Sequence, residues 1–168
     1  MSDASEPRQD DAAPTGPDAM RAHAAAIGLD VEVIERPAAS SLAEAAALIG
    51  IEPGDVVKSL VVRRSDGDYL FALVPGGRKI DWASLRAVVG TNRLSLPDAS
   101  QAKDATGYER GTITPLGSTT AWPVFADERV RGHRVALGAG AHGLSALVDG
   151  DALLSALGAT VADITVEE

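Results

Sequence analysis

The sequence predicts a single α+β domain in which helices flank a mixed sheet. Three observations lead there. The 168 residues are 45% hydrophobic, enough for one real core and too few to expect two. Apolar, β-branched runs of strand length cluster within 56–148, and helical stretches separate only some of them, which departs from a strict βαβ alternation. No internal repeat is visible.

Residues 1–17 are rich in Asp, Ala, Pro, Ser and Gly without periodicity, too little apolar surface to offset the entropy of ordering them. A disordered acidic leader over 1–17 is therefore expected, ahead of a domain over 18–168. Asp18 opens an alanine-rich helical stretch to Ile27, and Gly28 stops it. Val31, Val33 and Ile34 suggest a short strand before Pro37. Ser40 or Ser41 can cap a second helix, because a serine hydroxyl accepts free first-turn amides and Glu44 stands three residues beyond Ser41; Gly50 ends it. After the turn Glu52-Pro53-Gly54-Asp55, residues 56–64 and 69–74 read as a hairpin with Lys58 in its first strand. Residues 81–89 have helical spacing, Pro97-Asp98 opens another helix, and 107–117 is a loop rich in glycine and hydroxyl residues. Strands are expected at 122–125, 135–137 and 144–148, then a helix over 151–157 and a last strand at 161–164.

Composition removes several function classes. No cysteine is present, so disulfides, thiolate metal sites and a cysteine nucleophile are excluded. No apolar run approaches the roughly 20 residues that span a bilayer, and the N-terminus is acidic where a signal peptide carries positive charge; the expectation is a cytoplasmic protein with no membrane partner. A net charge of −9 argues against a general nucleic-acid coat, since phosphate binding runs on Lys and Arg. The acidity is concentrated in the tails. Over 58–110 basic residues outnumber acidic ones, which allows either a local basic face or a solvated surface of mixed charge.

Lys58 is unusual because Val56-Val57 and Leu60-Val61-Val62 surround it in a strand that looks buried on both faces. A buried ammonium is costly without a partner. Two readings stay open: a stem lying on apolar surface with its head in water, or a lysine facing a pocket and holding a phosphate or carbonyl oxygen. In Gly107-Tyr108-Glu109-Arg110-Gly111-Thr112-Ile113-Thr114-Pro115-Leu116-Gly117, Gly111 permits backbone angles closed to other residues and Pro115 stiffens the exit. Amides between them could point inward at an ester carbonyl that becomes an oxyanion, or the segment is an ordinary surface loop. Gly138-Ala139-Gly140-Ala141-His142-Gly143 fits G-x-G-x-x-G, but a strand follows where a dinucleotide site needs a helix, so that match is rejected. Its glycines serve better to line a pocket or turn between strands. His142 either contacts substrate or is a solvent-exposed loop residue. No metal-ligand cluster and no nucleophile elbow is present, so neither cofactor nor metal is expected and hydrolysis would rely on positioned water.

Taken in order, Val57-Lys58-Ser59-Leu60, then Gly107-Tyr108 with Gly111 through Pro115-Leu116-Gly117, then Gly138 through Gly143-Leu144 resemble the YbaK/prolyl-tRNA synthetase editing-domain family. The similarity extends over 20–165, including the closing Leu157-Gly158-Ala159-Thr160-Val161-Ala162-Asp163-Ile164. The resemblance implies a mixed, partly barrel-like sheet and a pocket for the 3′-terminal adenosine of tRNA with its esterified amino acid. It implies a free-standing deacylase acting on mischarged tRNA, commonly tRNA for proline carrying alanine or cysteine, with a synthetase as a further candidate partner. On that basis Lys58, Gly111 and Pro115 are the expected catalytic positions. Ser59, Tyr108, Thr112, Ile113, Thr114, Gly138, Gly140, His142 and Gly143 are the expected substrate contacts. The ribose hydroxyl next to the ester and a water would carry the protons. Many relatives have a second glycine and a serine where this chain has Thr112 and Thr114, so no amino-acid specificity is carried over. A non-catalytic binding module of the same fold is the competing expectation, and a Schiff-base lysine at Lys58 a third.

Overall fold

The computed structural model describes residues 13–168; the first twelve residues of the expected leader lie outside that range. Helix α1 (Gly16–Ala26) begins two residues ahead of Asp18 and takes in Gly16 and Pro17, because proline is tolerated in a first turn whose amides have no helical acceptor. Strand β1 (Glu32–Glu35) and helix α2 (Leu42–Leu48) follow. Ser41 caps α2 by accepting from Glu44 N at 3.1 Å, while the Glu44 carboxylate reaches back to Ser40 N and Oγ.

Strands β2 (Val57–Ser65) and β3 (Asp68–Pro75) form the expected antiparallel hairpin. Strand β4 (Arg78–Ile80), with three residues, is too short to announce itself in the sequence. Helices α3 (Trp82–Val89) and α4 (Ala99–Thr106) are capped by Asp81 and Asp98. Strand β5 (Val124–Asp127) starts two residues later than expected: Pro123 has no N–H to donate, although its carbonyl accepts from Phe71 N at 2.8 Å. Strands β6 (Arg134–Gly138) and β7 (Leu144–Asp149) are followed by helix α5 (Gly150–Leu157).

The final strand expected at 161–164 is two strands, β8 (Thr160–Ala162) and β9 (Thr165–Glu167), in different sheets. Buried Asp127 accounts for the break. Its carboxylate accepts from Ile164 N at 3.2 Å, Thr165 Oγ1 at 2.8 Å and Arg129 N at 3.0 Å, which draws the chain out of one sheet and into the next. Burial alone would raise the Asp127 pKa; these bonds, with the Arg129 guanidinium, hold it below the ordinary carboxylate value.

The sheets run β1-β7-β6, β2-β3-β5-β8 and β4-β9. Pairings β3 with β5 and β5 with β8 are parallel and the remaining strand pairs antiparallel, so the fold is α+β with mixed sheets. A parallel bridge between Val56 and Ala136 joins the two larger sheets along one side, and among the described residues they do not close into a barrel.

Alternation along the hairpin divides the core. Val57 and Val61 of β2 with Phe71 and Leu73 of β3 face a large cluster shared with β6, β7 and α5. Val62, Leu70, Ala72 and Val74 face a second cluster, closed by Leu85 of α3. Strand β3 is thus covered on both sides, the reason it reads as a continuous apolar run. Ser59 shares the face of Val57 and Val61, and Lys58 that of Leu60 and Val62.

Candidate functional site

An open cavity of about 680 Å³ lies where β2, the start of α4, the 110–113 loop and the β6–β7 pair meet. Five residues singled out from the sequence line it: Lys58, Ser59, Gly111, Ile113 and Gly138. Segments some fifty residues apart in the chain therefore share one wall. Tyr108, Thr112, Thr114, Pro115, Gly140, His142 and Gly143 do not border the cavity.

Most of these others shape the loop. Gly107 ends α4 in the left-handed conformation, and Tyr108 turns inward, 3% exposed, with its hydroxyl donating to Leu116 O at 2.6 Å. Burial pushes the Tyr108 pKa up to about 12, so the hydroxyl keeps the proton that this bond uses. Buried Thr112 donates to Glu109 O through both N, at 3.0 Å, and Oγ1, at 2.7 Å. Buried Thr114 accepts from Leu116 N through Oγ1 at 3.2 Å. The bulk of these two threonine side chains thus lies inside the loop. Pro115 faces a separate cleft of about 240 Å³ shared with His23 and Trp122.

The second glycine segment holds the loop from below. Gly140 N donates to Thr112 O at 3.0 Å, and a Cβ built on Gly138 would stand 2.4 Å from Ile113 O. Only a residue without a side chain permits that approach. Gly111, at φ +88°, makes the turn that points the loop at the cavity. Thr112 spends its amide on Glu109, whereas among the described residues the amides of Gly111 and Ile113 have no protein acceptor. His142 stands outside, its side chain 69% exposed and Nε2 3.6 Å from the Glu109 carboxylate.

Lys58 borders the cavity, while its ammonium is engaged by groups of the chain itself. Its Nζ donates to Arg78 O at 2.8 Å and Glu168 Oε1 at 3.2 Å, partners on the β4–β9 side, and the side chain is 41% exposed. An ammonium between a carbonyl oxygen and a carboxylate does not have the apolar setting that a Schiff-base lysine needs. The pair with exposed Glu168 is one that an arriving anion can displace, since such pairs contribute about 0–1 kcal/mol. On the other face of β2, Ser59 Oγ is shielded from solvent and, among the described residues, has no hydrogen-bond partner, a costly state unless something in the cavity supplies one.

Two cations on the wall were not among the expected contacts. Arg110 lies beside Gly111, and Arg36 follows β1 with its N donating to Gly143 O at 2.8 Å. Nothing local marks Arg36 in the sequence, where it sits between Glu35 and Pro37. Among the described residues Asp98 is the one carboxylate on the wall, and its Oδ1 accepts from Gln101 N at 2.7 Å as the cap of α4. The wall is otherwise largely apolar, with Val57, Val61, Ala102, Leu137 and Leu144. Among the described residues no group of His, Cys, Asp and Glu could hold a metal, and no helix is long and apolar enough to cross a membrane.

Known proteins resemble this chain in sequence and in fold. The family described as the aminoacyl-tRNA editing domain matches over residues 36–156. A candidate Cys-tRNA(Pro)/Cys-tRNA(Cys) deacylase, EbsC of Enterococcus faecalis, is 28% identical over 131 residues, 77% of this chain and 78% of that one. A proline–tRNA ligase of Maridesulfovibrio salexigens is 32% identical over 119 residues, 71% of this chain but only 20% of the ligase. Of solved structures, a candidate trans-editing enzyme for prolyl-tRNA synthetase superposes with a TM-score of 0.80 at 28% identity, covering 90% of this chain and 96% of that one.

Proposed function

The chain belongs to the aminoacyl-tRNA editing domain family, and from that premise we propose that it hydrolyses the ester of mischarged tRNA, acting in trans on small amino acids such as alanine or cysteine attached to tRNA for proline. The observation that carries this reading is the convergence of β2 and the 111–113 loop on one cavity. Its volume of about 680 Å³ falls within the roughly 300–1,000 Å³ usual for small-molecule sites, enough for a terminal adenosine and a small acyl group.

An aminoacyl ester is already activated, so the site must orient it and stabilise charge more than supply a strong nucleophile. In the proposed pose the ester carbonyl lies against the Gly111 and Ile113 amides, which gain strength as that oxygen becomes an oxyanion. Water adds to the carbonyl carbon, the ester C–O bond breaks, and the departing ribose oxygen takes up a proton. The neighbouring ribose hydroxyl and the water itself relay protons, because Asp98, the only carboxylate on the wall among the described residues, is occupied as a helix cap. Ser59 Oγ bonds the bound aminoacyl group from the opposite side, and Lys58, released from Glu168, meets substrate at the rim. The apolar wall suits a small aliphatic side chain. A methylene difference in such a pocket discriminates by only about 1–3 kcal/mol, the circumstance in which a second, hydrolytic sieve is useful.

The test is a panel of mischarged tRNAs presented without added metal to the intact protein and to Lys58→Ala. Release of a small amino acid by the intact protein, with kcat/KM lowered roughly tenfold or more in the variant, is expected; a panel left untouched by the intact protein overturns the hydrolase reading. A second reading, a binding module of the same fold, draws on the engagement of Lys58 by the chain's own groups. Saturable binding of the charged terminus without turnover would establish it instead.

A further inference from the structure

The cavity wall holds an excess of positive charge in a protein whose net charge is −9. Of its three cations, Lys58 is bonded to Arg78 O and Glu168. Arg36 and Arg110 make no ion pair among the described residues, and the only wall carboxylate, Asp98, is committed to capping α4. Arg36 goes further: its Nε is shielded from solvent and, among the described residues, has no hydrogen-bond partner. A guanidinium always carries its charge, and a shielded N–H on it without an acceptor is among the costlier polar arrangements a fold can hold. The backbone at Arg36 is held in place, because Arg36 N donates to Gly143 O where β1 runs alongside β7.

A guanidinium in this state calls for an anion with oxygens to accept from a planar fork. The amino acid on a charged tRNA offers none at its backbone, since its carboxyl is esterified and its amino group is positive. The adenosine is neutral. The anion that must accompany an RNA 3′ terminus is the phosphodiester joining the last nucleotide to the one before it. We propose that Arg36 is the ligand of that phosphate, anchoring the RNA backbone at the cavity so that the ester reaches the 111–113 loop in register. This rests on the deacylase reading and adds a contact that sets binding and register; Arg36 is a binding and positioning residue and does not touch the reacting atoms.

The experiment compares intact protein, Arg36→Gln and Arg36→Lys on two substrates carrying the same amino acid: mischarged tRNA, and 3′-O-aminoacyl-adenosine, which has no phosphate. Arg36→Gln should lower kcat/KM for the tRNA roughly tenfold more than for the aminoacyl-adenosine, mostly through KM. The slope of log(kcat/KM) against log[salt] should become shallower by about 0.7, the share of one single-strand phosphate contact. Arg36→Lys, which keeps the charge, should retain the salt slope and recover part of the affinity. Equal losses on both substrates, an unchanged slope in Arg36→Gln, or a lysine variant as impaired as the glutamine one would each overturn the proposal. Fluorescence anisotropy with an uncharged oligonucleotide ending in CCA reads the contact without catalysis. If the intact protein hydrolyses nothing, yet Arg36→Gln weakens this binding and flattens its salt slope, the hydrolase reading falls and the phosphate site stands. Turnover by the intact protein with no Arg36 effect on either readout does the reverse: the hydrolase reading stands and the phosphate site falls.

Discussion

In Gly138→Ala the new Cβ would lie 2.4 Å from Ile113 O and 3.0 Å from Thr112 O, both backbone atoms of the loop that borders the cavity. Relief to ordinary van der Waals separation requires the loop to retreat by about 1 Å. Neither contact is the far end of a flexible side chain, so the backbone itself must yield, and with it the Ile113 amide. A misplacement of about 1 Å at a site that works by orientation costs roughly a hundredfold in rate, about 2.7 kcal/mol of transition-state stabilisation. Overpacking should also lower stability by about 1–3 kcal/mol, a Tm drop of roughly 2–12 °C for a chain of this size. Single-turnover deacylation with saturating protein isolates the chemical step, and thermal unfolding gives the stability term. Gly54→Ala is the control, with no atom within 4 Å of the added Cβ and no left-handed backbone. Full single-turnover activity in Gly138→Ala would refute the claim that β6 sets the position of the loop.

Ser59→Ala removes a shielded hydroxyl without a protein partner, so unfolding free energy should hold within about 0.5 kcal/mol or rise, while kcat/KM falls roughly tenfold; a destabilised variant with intact activity would contradict a role in substrate binding. Asp127 has a native pKa below its unfolded value, so the stability it contributes is present above the unfolded pKa of about 3.9 and lost as pH falls through the native one. Urea midpoints of the intact protein should therefore drop below about pH 4, and Asp127→Asn should be less stable at pH 7 with a flatter acid limb; parallel profiles for the two proteins would remove Asp127 as the cause.

How much of this was legible depended on the range of the interactions involved. The α2 cap could be read because Ser41 and Glu44 are three residues apart and the bond is local. The β2–β3 hairpin could be read because its strands are adjacent and β3 is apolar on both faces. Strand β4 had no such mark: it exists through its pairing with β9, almost ninety residues further along, in the register Ile80 with Thr165. The split between β8 and β9 likewise depends on Asp127, distant in sequence from both. In the site, Gly138 and Gly111 stood out as glycines, but that Gly138 serves a close approach by Ile113 O is a fact of tertiary distance. Lys58 stood out as a charge in an apolar strand, and its head nevertheless turned to Arg78 O and Glu168 because alternation in β2 puts it on the face opposite Ser59.

By itself the sequence determined the chemistry on offer: no thiol, a glycine-rich loop, a strand lysine and three motifs whose order identifies an editing family. Those are properties of residue type and near-neighbour spacing, which survive in an unfolded chain. Which groups face the cavity was decided only by the folded molecule, through pairings over a hundred residues long such as Lys58 with Glu168 and the seating of Arg36 on Gly143. A polar atom's availability depends on what else competes for it, and in this chain the competitors arrive from distant segments whose register nothing local encodes.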